Sequence, residues 1–265
     1  MTRQNIITDG YPGFFELDGM LVIGTTGFHR EISSIVSEIS IFQSLDTPYM
    51  SGTILLNDGD DVASGLPFLG QERLLFSVST PGRTKIDFND HHAIIYNVKK
   101  RVQSSDRAQT VLIEFTTHDN YKNSFTKISK SFKGIISEMV YDILTSSNYL
   151  GSKKRINIDP TIHRRKFVIP NLSPYSAIHL LQREAVSDES KGAHYLFFEN
   201  PEGYHFRTLD SLYANSSSGA VVAPKATYVY QHPESAMAGG LATRNPAGSL
   251  ETILHWQIHA NTNSF

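Results

Sequence analysis

The stretch Ile32-Ser33-Ser34-Ile35-Val36-Ser37-Glu38-Ile39-Ser40-Ile41-Phe42-Gln43-Ser44-Leu45, followed by Asp46-Thr47-Pro48 and then by Met50-Ser51-Gly52-Thr53-Ile54-Leu55-Leu56-Asn57, decides the fold class. Ile35, Ile39, Ile41 and Leu45 fall on odd positions, and Ser34, Glu38, Ser40 and Ser44 on even ones. Successive side chains of a strand point to opposite sides of the pleat, so this alternation describes one buried and one wetted face. There are exceptions: Ser37 and Gln43 fall on the apolar side, Val36 and Phe42 on the polar side. Asp-Thr-Pro turns the chain, and the second run returns it as a two-stranded ribbon. Unpaired strand edges have to be paired or covered. For this ribbon, pairing between subunits is expected, through Ile35, Ile39, Ile41, Ile54 and Leu56.

Toward the C-terminus, Asn57-Asp58-Gly59-Asp60-Asp61 lacks the spacing of a calcium loop and reads as a turn feeding a short helix. Asp60 or Asp61 would cap that helix and Leu66-Pro67-Phe68-Leu69-Gly70 would end it. Strands follow at Gln71–Thr80, Lys85–Phe88, Ala93–Gln103 and Gln109–Thr117, enough sheet to close as a small antiparallel barrel. Toward the N-terminus, residues 1–30 read as an extended arm with one short strand near Met20–Ile23, docked on a neighbour.

Near Tyr121 the apolar period lengthens. Ile136, Met139, Val140, Ile143 and Leu144 mark one face of a helix between Lys133 and Asn148. Short strands are expected at Ile156–Ile158 and Lys166–Ile169. Ser173-Pro174 then starts a second helix, with Ser173 as its cap. Ala193–Glu199 and Tyr204–Thr208 form a hairpin. The fold class is therefore α+β and mostly β. An arm covers 1–30, a barrel 31–120, an α+β domain 121–213, and a linker with the start of a second barrel 214–265. Strands at Thr227–Gln231 and Ile253–Ala260 are too few for a complete second barrel, and the natural protein is expected to be longer.

Composition excludes several classes of function. The 265 residues include 40% hydrophobic and 19% charged side chains, a globular balance. A formal net charge of −2 gives none of the basic excess of a protein that grips nucleic acid through its phosphates. With no Cys, thiol catalysis, disulfides and Cys-based zinc sites are excluded. No long apolar run spans a membrane and no leader pattern opens the chain, so a protein assembled inside the cell is expected. His91 and His92 are adjacent, which on a strand points them to opposite faces. His255 and His259 would stand about 13 Å apart on one strand face, so neither pair makes a metal site. No nucleophile elbow or phosphate loop is present. No catalytic, cofactor-binding or metal-ligating residue stands out. Three basic runs, Lys99-Lys100-Arg101, Lys153-Lys154-Arg155 and His163-Arg164-Arg165-Lys166, read as solvated turns and strand edges.

The order of segments is similar to that of the baseplate hub protein of contractile-tailed phages. Ser37–Leu45 leads into Thr53–Asp58, and Leu66–Glu72 precedes a Leu/Phe strand. Phe167-Val168-Ile169-Pro170-Asn171 runs into the second helix, followed by Tyr195–Asn200. The resemblance spans about 31–213, with a weaker echo in Leu254–Ile258. It implies a tail-tube-like barrel, and a homotrimer whose six barrels adapt a sixfold tail tube to a threefold central spike. The spike-bearing proteins of type VI secretion are relatives of that family. It further implies contacts with other baseplate proteins, a place in the virion, and a lumen for DNA lined by Ser34, Glu38, Ser40 and Ser44. The chain departs from the family in its second barrel, which is at best begun. Two competing readings are a tail-borne cell-wall hydrolase, needing convergent acids, and a glycan-binding module, for which Tyr204 and Phe206 are candidates.

Overall fold

The computed structural model describes residues 15–25, 27–59, 70–79, 85–105, 108–213, 229–230 and 252–253. The arm before residue 15 and the short helix expected within 60–69 lie outside the described residues.

The largest sheet contains β1 (Glu16–Ile23), β2 (His29–Glu31), β3 (Val36–Phe42), β4 (Ser51–Asp58), β5 (Arg73–Ser79), β6 (Ile86–Asp87), β7 (Ala93–Ser105) and β8 (Ala108–Thr117). The order across it is β2-β1-β5-β7-β8-β4-β3, with β6 paired to β5 off this path. The strand expected near residue 20 is thus longer than the sequence suggests, and it is a member of this sheet. Its two end strands, β2 and β3, are neighbours in the chain, joined through Ile32 and the 3-10 turn Ser33–Ile35. The path therefore bends back toward its start. The expected closed barrel is not formed among the described residues, because no ladder joins β2 to β3.

A bulge explains the imperfect alternation of β3. Val36 lies opposite Leu56 and Glu38 opposite Leu55, so Ser37 is the extra residue. One inserted residue returns Val36 to the face shared by Ile39 and Ile41, and all three pack on the core. Phe42 stays on the other face, opposite Ser51, and is exposed. In β4, Gly52 meets the ring of Phe115 and the carbonyl of Ser40. A Cβ there would lie 2.4 Å from each, so only glycine fits. The first core, with Ile54, Leu56, Leu74, Val111 and Ile113, centres on Phe76, Phe88 and Phe115. Phe76 stacks on Phe88 at 4.8 Å and meets Phe115 edge-on at 5.6 Å.

A second core follows in the chain. Helices α1 (His118–Phe125), α2 (Ile136–Thr145) and α3 (Pro174–Gln182) surround a hairpin of β12 (Tyr195–Asn200) and β13 (Gly203–Thr208). β10 (Ile156–Ile158) joins β13 in parallel, and β9 (Ile128–Gly134) pairs antiparallel with β11 (Arg165–Leu172) as a separate ribbon. A short helix, α4 (Leu209–Tyr213), follows β13. Ser173 caps α3 by accepting from the Ser176 amide, and Pro174 occupies the first turn, where its missing N–H costs nothing. The stripe Ile136, Met139, Val140, Ile143 and Leu144 of α2 is buried with Ile178 and Leu181 of α3.

Nearly all of this belongs to one compact unit, Leu17–Val78 with Lys85–Gly219. The other unit includes Ala220–Phe265, where β14 (Val229–Tyr230) pairs in parallel with β15 (Thr252–Ile253). The remaining expected strand residues there lie outside the described residues.

Candidate functional site

Alternation places the residues of the ribbon on two faces. Ile35, Ile54 and Leu56 turn inward, and each is buried in the chain's own core. Ile39 and Ile41 are half-buried against that core. Most of their apolar area is taken up within one chain, so among the described residues what β3 leaves uncovered is its outer backbone edge and the side chains of its other face. On that face, Glu38, Ser40 and Phe42 stand opposite Leu55, Thr53 and Ser51 of β4. The row continues across the sheet, since Thr53 faces Glu114 of β8, which in turn faces Asn97 of β7. The Ser40 hydroxyl donates to Glu38 at 3.2 Å, and the Asp46 amide donates to Ser44 at 3.1 Å. Ser34, Glu38 and Ser44 are exposed and Ser40 is half-buried. Glu114 accepts from Asn97 at 2.9 Å and from Lys99 at 3.0 Å; these bonds hold its carboxyl below the usual range. This face is wet, hydroxyl-rich and carries charge of both signs.

At its end the same face opens into a groove lined by Tyr49, Ser51, Tyr96, Thr116, Asn120, Tyr121, Ser124 and Phe125. Tyr121 and Phe125 are one helical turn apart on α1, with ring centres 5.0 Å apart. Tyr204 and Phe206, the aromatic pair singled out in the sequence, are fully buried.

Sequence reasoning missed a buried polar network. Lys154, from the second basic run, is nearly inaccessible and forms ion pairs with Glu199 and with Asp119, the latter at 3.9 Å. Glu199 also accepts from the Met50 amide at 3.3 Å and from the Thr117 hydroxyl at 3.2 Å. Asp119 accepts from Ser152 at 2.6 Å and from Tyr204 at 3.1 Å. Tyr204 gives its proton to Asp119, so Tyr175 donates to Tyr204, at 2.7 Å. Burial raises the Glu199 carboxyl, with Lys154 acting against it. Burial also pushes Asp119 up, but His118, Lys154, Ser152 and Tyr204 outweigh it and hold the group at about 2. The one available signal was Glu199 itself, an acid directly after the apolar run Tyr195–Phe198. Charges removed from water need partners, and here hydrophobic strands and a helix start supply them.

A cleft of about 250 Å³ beside this network is lined by Asp87, Asp90, His91, Lys154, Arg155, Glu199 and Glu202, among others. It is the place where convergent acids would act. Its innermost acid, Glu199, is held by three donors from the chain, which suits a clamp between the two cores better than a proton shuttle. Among the described residues no group of three or more His, Asp or Glu side chains forms a metal cluster. No helix among them is long and apolar enough to cross a membrane.

No family model matches the sequence, and no curated protein matches it. Solved structures do. The 43 kDa tail protein of prophage MuSo2 from Shewanella oneidensis is similar at 14% identity and a TM-score of 0.45, covering 80% of this chain and 57% of that one. A tail protein from Neisseria meningitidis MC58 is similar at 10% identity and a TM-score of 0.49, covering 80% and 54%. Prophage tail protein gp18 from Listeria monocytogenes EGD-e is also among the structures this chain is similar to. So is the Escherichia coli c3393 protein, a component of the type VI secretion system with structural similarity to phage T4 tail proteins. That match has 12% identity and a TM-score of 0.40, covering 74% of this chain and 47% of the other. The chain spans about half the length of each of these structures.

Proposed function

We propose that this chain is a structural protein of a phage tail: the hub of a baseplate, working as a homotrimer that adapts a sixfold tail tube to a threefold central spike. It makes and breaks no bond; it works by shape. The observation that carries this reading is the open edge of β3. Among the described residues that strand ends the sheet path, pairs with β4 alone, and keeps its outer backbone groups available. It also holds Phe42, an aromatic side chain 56% exposed, beside that edge. A strand of a neighbouring copy laid along β3 would satisfy the backbone and cover the ring. Head-to-tail repetition of one such contact closes a ring when its rotation allows. The resemblance in segment order over about 31–213 supplies the kind of ring. Ser34, Glu38, Ser40 and Ser44 would then line a lumen that DNA crosses without a dense cationic surface to hold it. Tail tube, spike and other baseplate proteins are the proposed partners, and the virion tail the proposed location.

The test replaces Phe42 with Asp and, separately, Ile39 and Ile41 with Lys, and images the assembled protein by electron microscopy. Loss of rings in Phe42→Asp, with its melting unchanged, is the expected result. Normal rings from both variants would count against the reading.

A second reading, a glycan-binding tail module, draws on the groove between Tyr49, Tyr96, Tyr121 and Phe125. Sugar rings stack on exposed aromatic faces, and Ser, Thr and Asn hydroxyl and amide groups suit their hydroxyls. Calorimetric titration with cell-wall oligosaccharides separates the two readings: heat that disappears in Tyr121→Ala supports the module.

A further inference from the structure

In each of the first two basic runs at least one cation is tied up within the chain. Lys99 pairs with Glu114 at 3.0 Å and Arg101 donates to Gln109 at 2.7 Å. Lys154 is buried between Glu199 and Asp119. The third run, His163-Arg164-Arg165-Lys166, is different. It leads into β11, where Lys166 lies directly opposite Lys133 of β9. All four cations, Lys133, Arg164, Arg165 and Lys166, are exposed. Among the described residues none of them has a carboxylate within ion-pair distance.

Directly opposed like charges on one face of a strand pair are unfavourable. Two residues along the same face, Ser131 stands opposite Val168, and Val168 is 68% exposed. The other face of the ribbon holds Phe132, which is buried in the second core, and its opposite residue Phe167, which packs on that core. The ribbon is therefore fixed from within and presents outward an apolar residue beside an opposed pair of lysines. That is the anatomy of a contact surface, a dry centre with a charged rim. The chain as a whole carries a formal −2, so carboxylates elsewhere in it outnumber the remaining cations.

We propose that the outer face of the β9–β11 ribbon, Val168 with Lys133 and Lys166, docks on an acidic surface of a neighbouring copy of this chain. A second copy meets both demands of the patch: it brings negative charge for the cations and desolvates the valine. A nucleic-acid backbone would meet only the first. This contact is separate from the edge of β3 and lies on the other core.

Sedimentation velocity of the whole chain tests it, on the wild type, on Lys133→Glu/Lys166→Glu and on Val168→Asp, with thermal melts run in parallel. Self-association of the wild type should weaken as salt rises from about 50 to about 500 mM, because screening shortens the reach of exposed charges. Each variant should weaken it by roughly tenfold or more at low salt without lowering the melting temperature. The milder Lys133→Gln/Lys166→Gln variant should do so to a lesser degree, and it keeps the test open if charge reversal impairs folding. Association unchanged in these variants would overturn the proposal. So would binding of a short duplex DNA that is lost in Lys133→Glu/Lys166→Glu while self-association persists. If Phe42→Asp abolishes association and the ribbon variants do not, edge pairing stands and the ribbon contact falls.

Discussion

Single residues carry the tightest constraints on this fold. Lys154 places its ammonium against both buried carboxylates, Glu199 and Asp119. Removing one partner of a buried pair strands the other charge, which costs about 3–5 kcal/mol. Lys154→Met is expected to lower the denaturant midpoint accordingly, and adding Glu199→Gln to recover part of the loss. Gly203 has φ +130° and sits under the carbonyl of Arg155, where a Cβ would come within 2.1 Å. Gly203→Ala combines strain with overlap and should destabilise by roughly 2–4 kcal/mol, read from the same unfolding curves. Burial lowers His92 to about 4, with neighbouring His118 and Arg73 adding to it; the His92 and His118 rings are 4.7 Å apart. The folded value lies below that of the unfolded chain, so the unfolded chain takes up the proton first on acidification. Stability from neutral His92 is fully present above about pH 6.5 and drains away as the pH falls toward about 4. Urea midpoints measured across that window should slope downward in the wild type and less steeply in His92→Asn. An equal slope in both would assign the acid sensitivity elsewhere.

At the scale of elements, the ribbon was readable because burial enforces a period of two, and the exceptions were readable only in the structure. Val36 looked misplaced until the bulge at Ser37 returned it to the inner face. Strand β9 was hidden for a different reason. Ile128, Phe132 and Ile136 are spaced by four, which imitates a helix, and the helix expected from the stripe Ile136–Leu144 was drawn from Lys133, over the end of the strand. In the fold Lys133 and Gly134 still belong to the strand, and the helix spans Ile136–Thr145. Lys130 masks the alternation because its ammonium lies over the Phe132 ring, 4.7 Å from its centre. The capped helix at Ser173-Pro174 was legible because cap chemistry is local. The network around Lys154 was not, because its members are brought together from distant positions and no spacing records them. The same logic sets the prediction for β3. Replacing exposed Phe42 with Asp removes no packed side chain from the core. It should therefore leave the melting temperature within a few degrees while lowering association, as read by sedimentation.

For the whole molecule, two hydrophobic cores within one compact unit are bridged by buried ions, and among the described residues one sheet ends in a strand with one edge unpaired. The central claim is that copies join along β3. Electron microscopy of the purified protein, at a resolution that follows strands, tests this most directly. The account predicts a hollow threefold ring in which a strand of the next copy runs beside Val36–Phe42. A particle of one copy, or a ring in which that edge faces solvent, would contradict it.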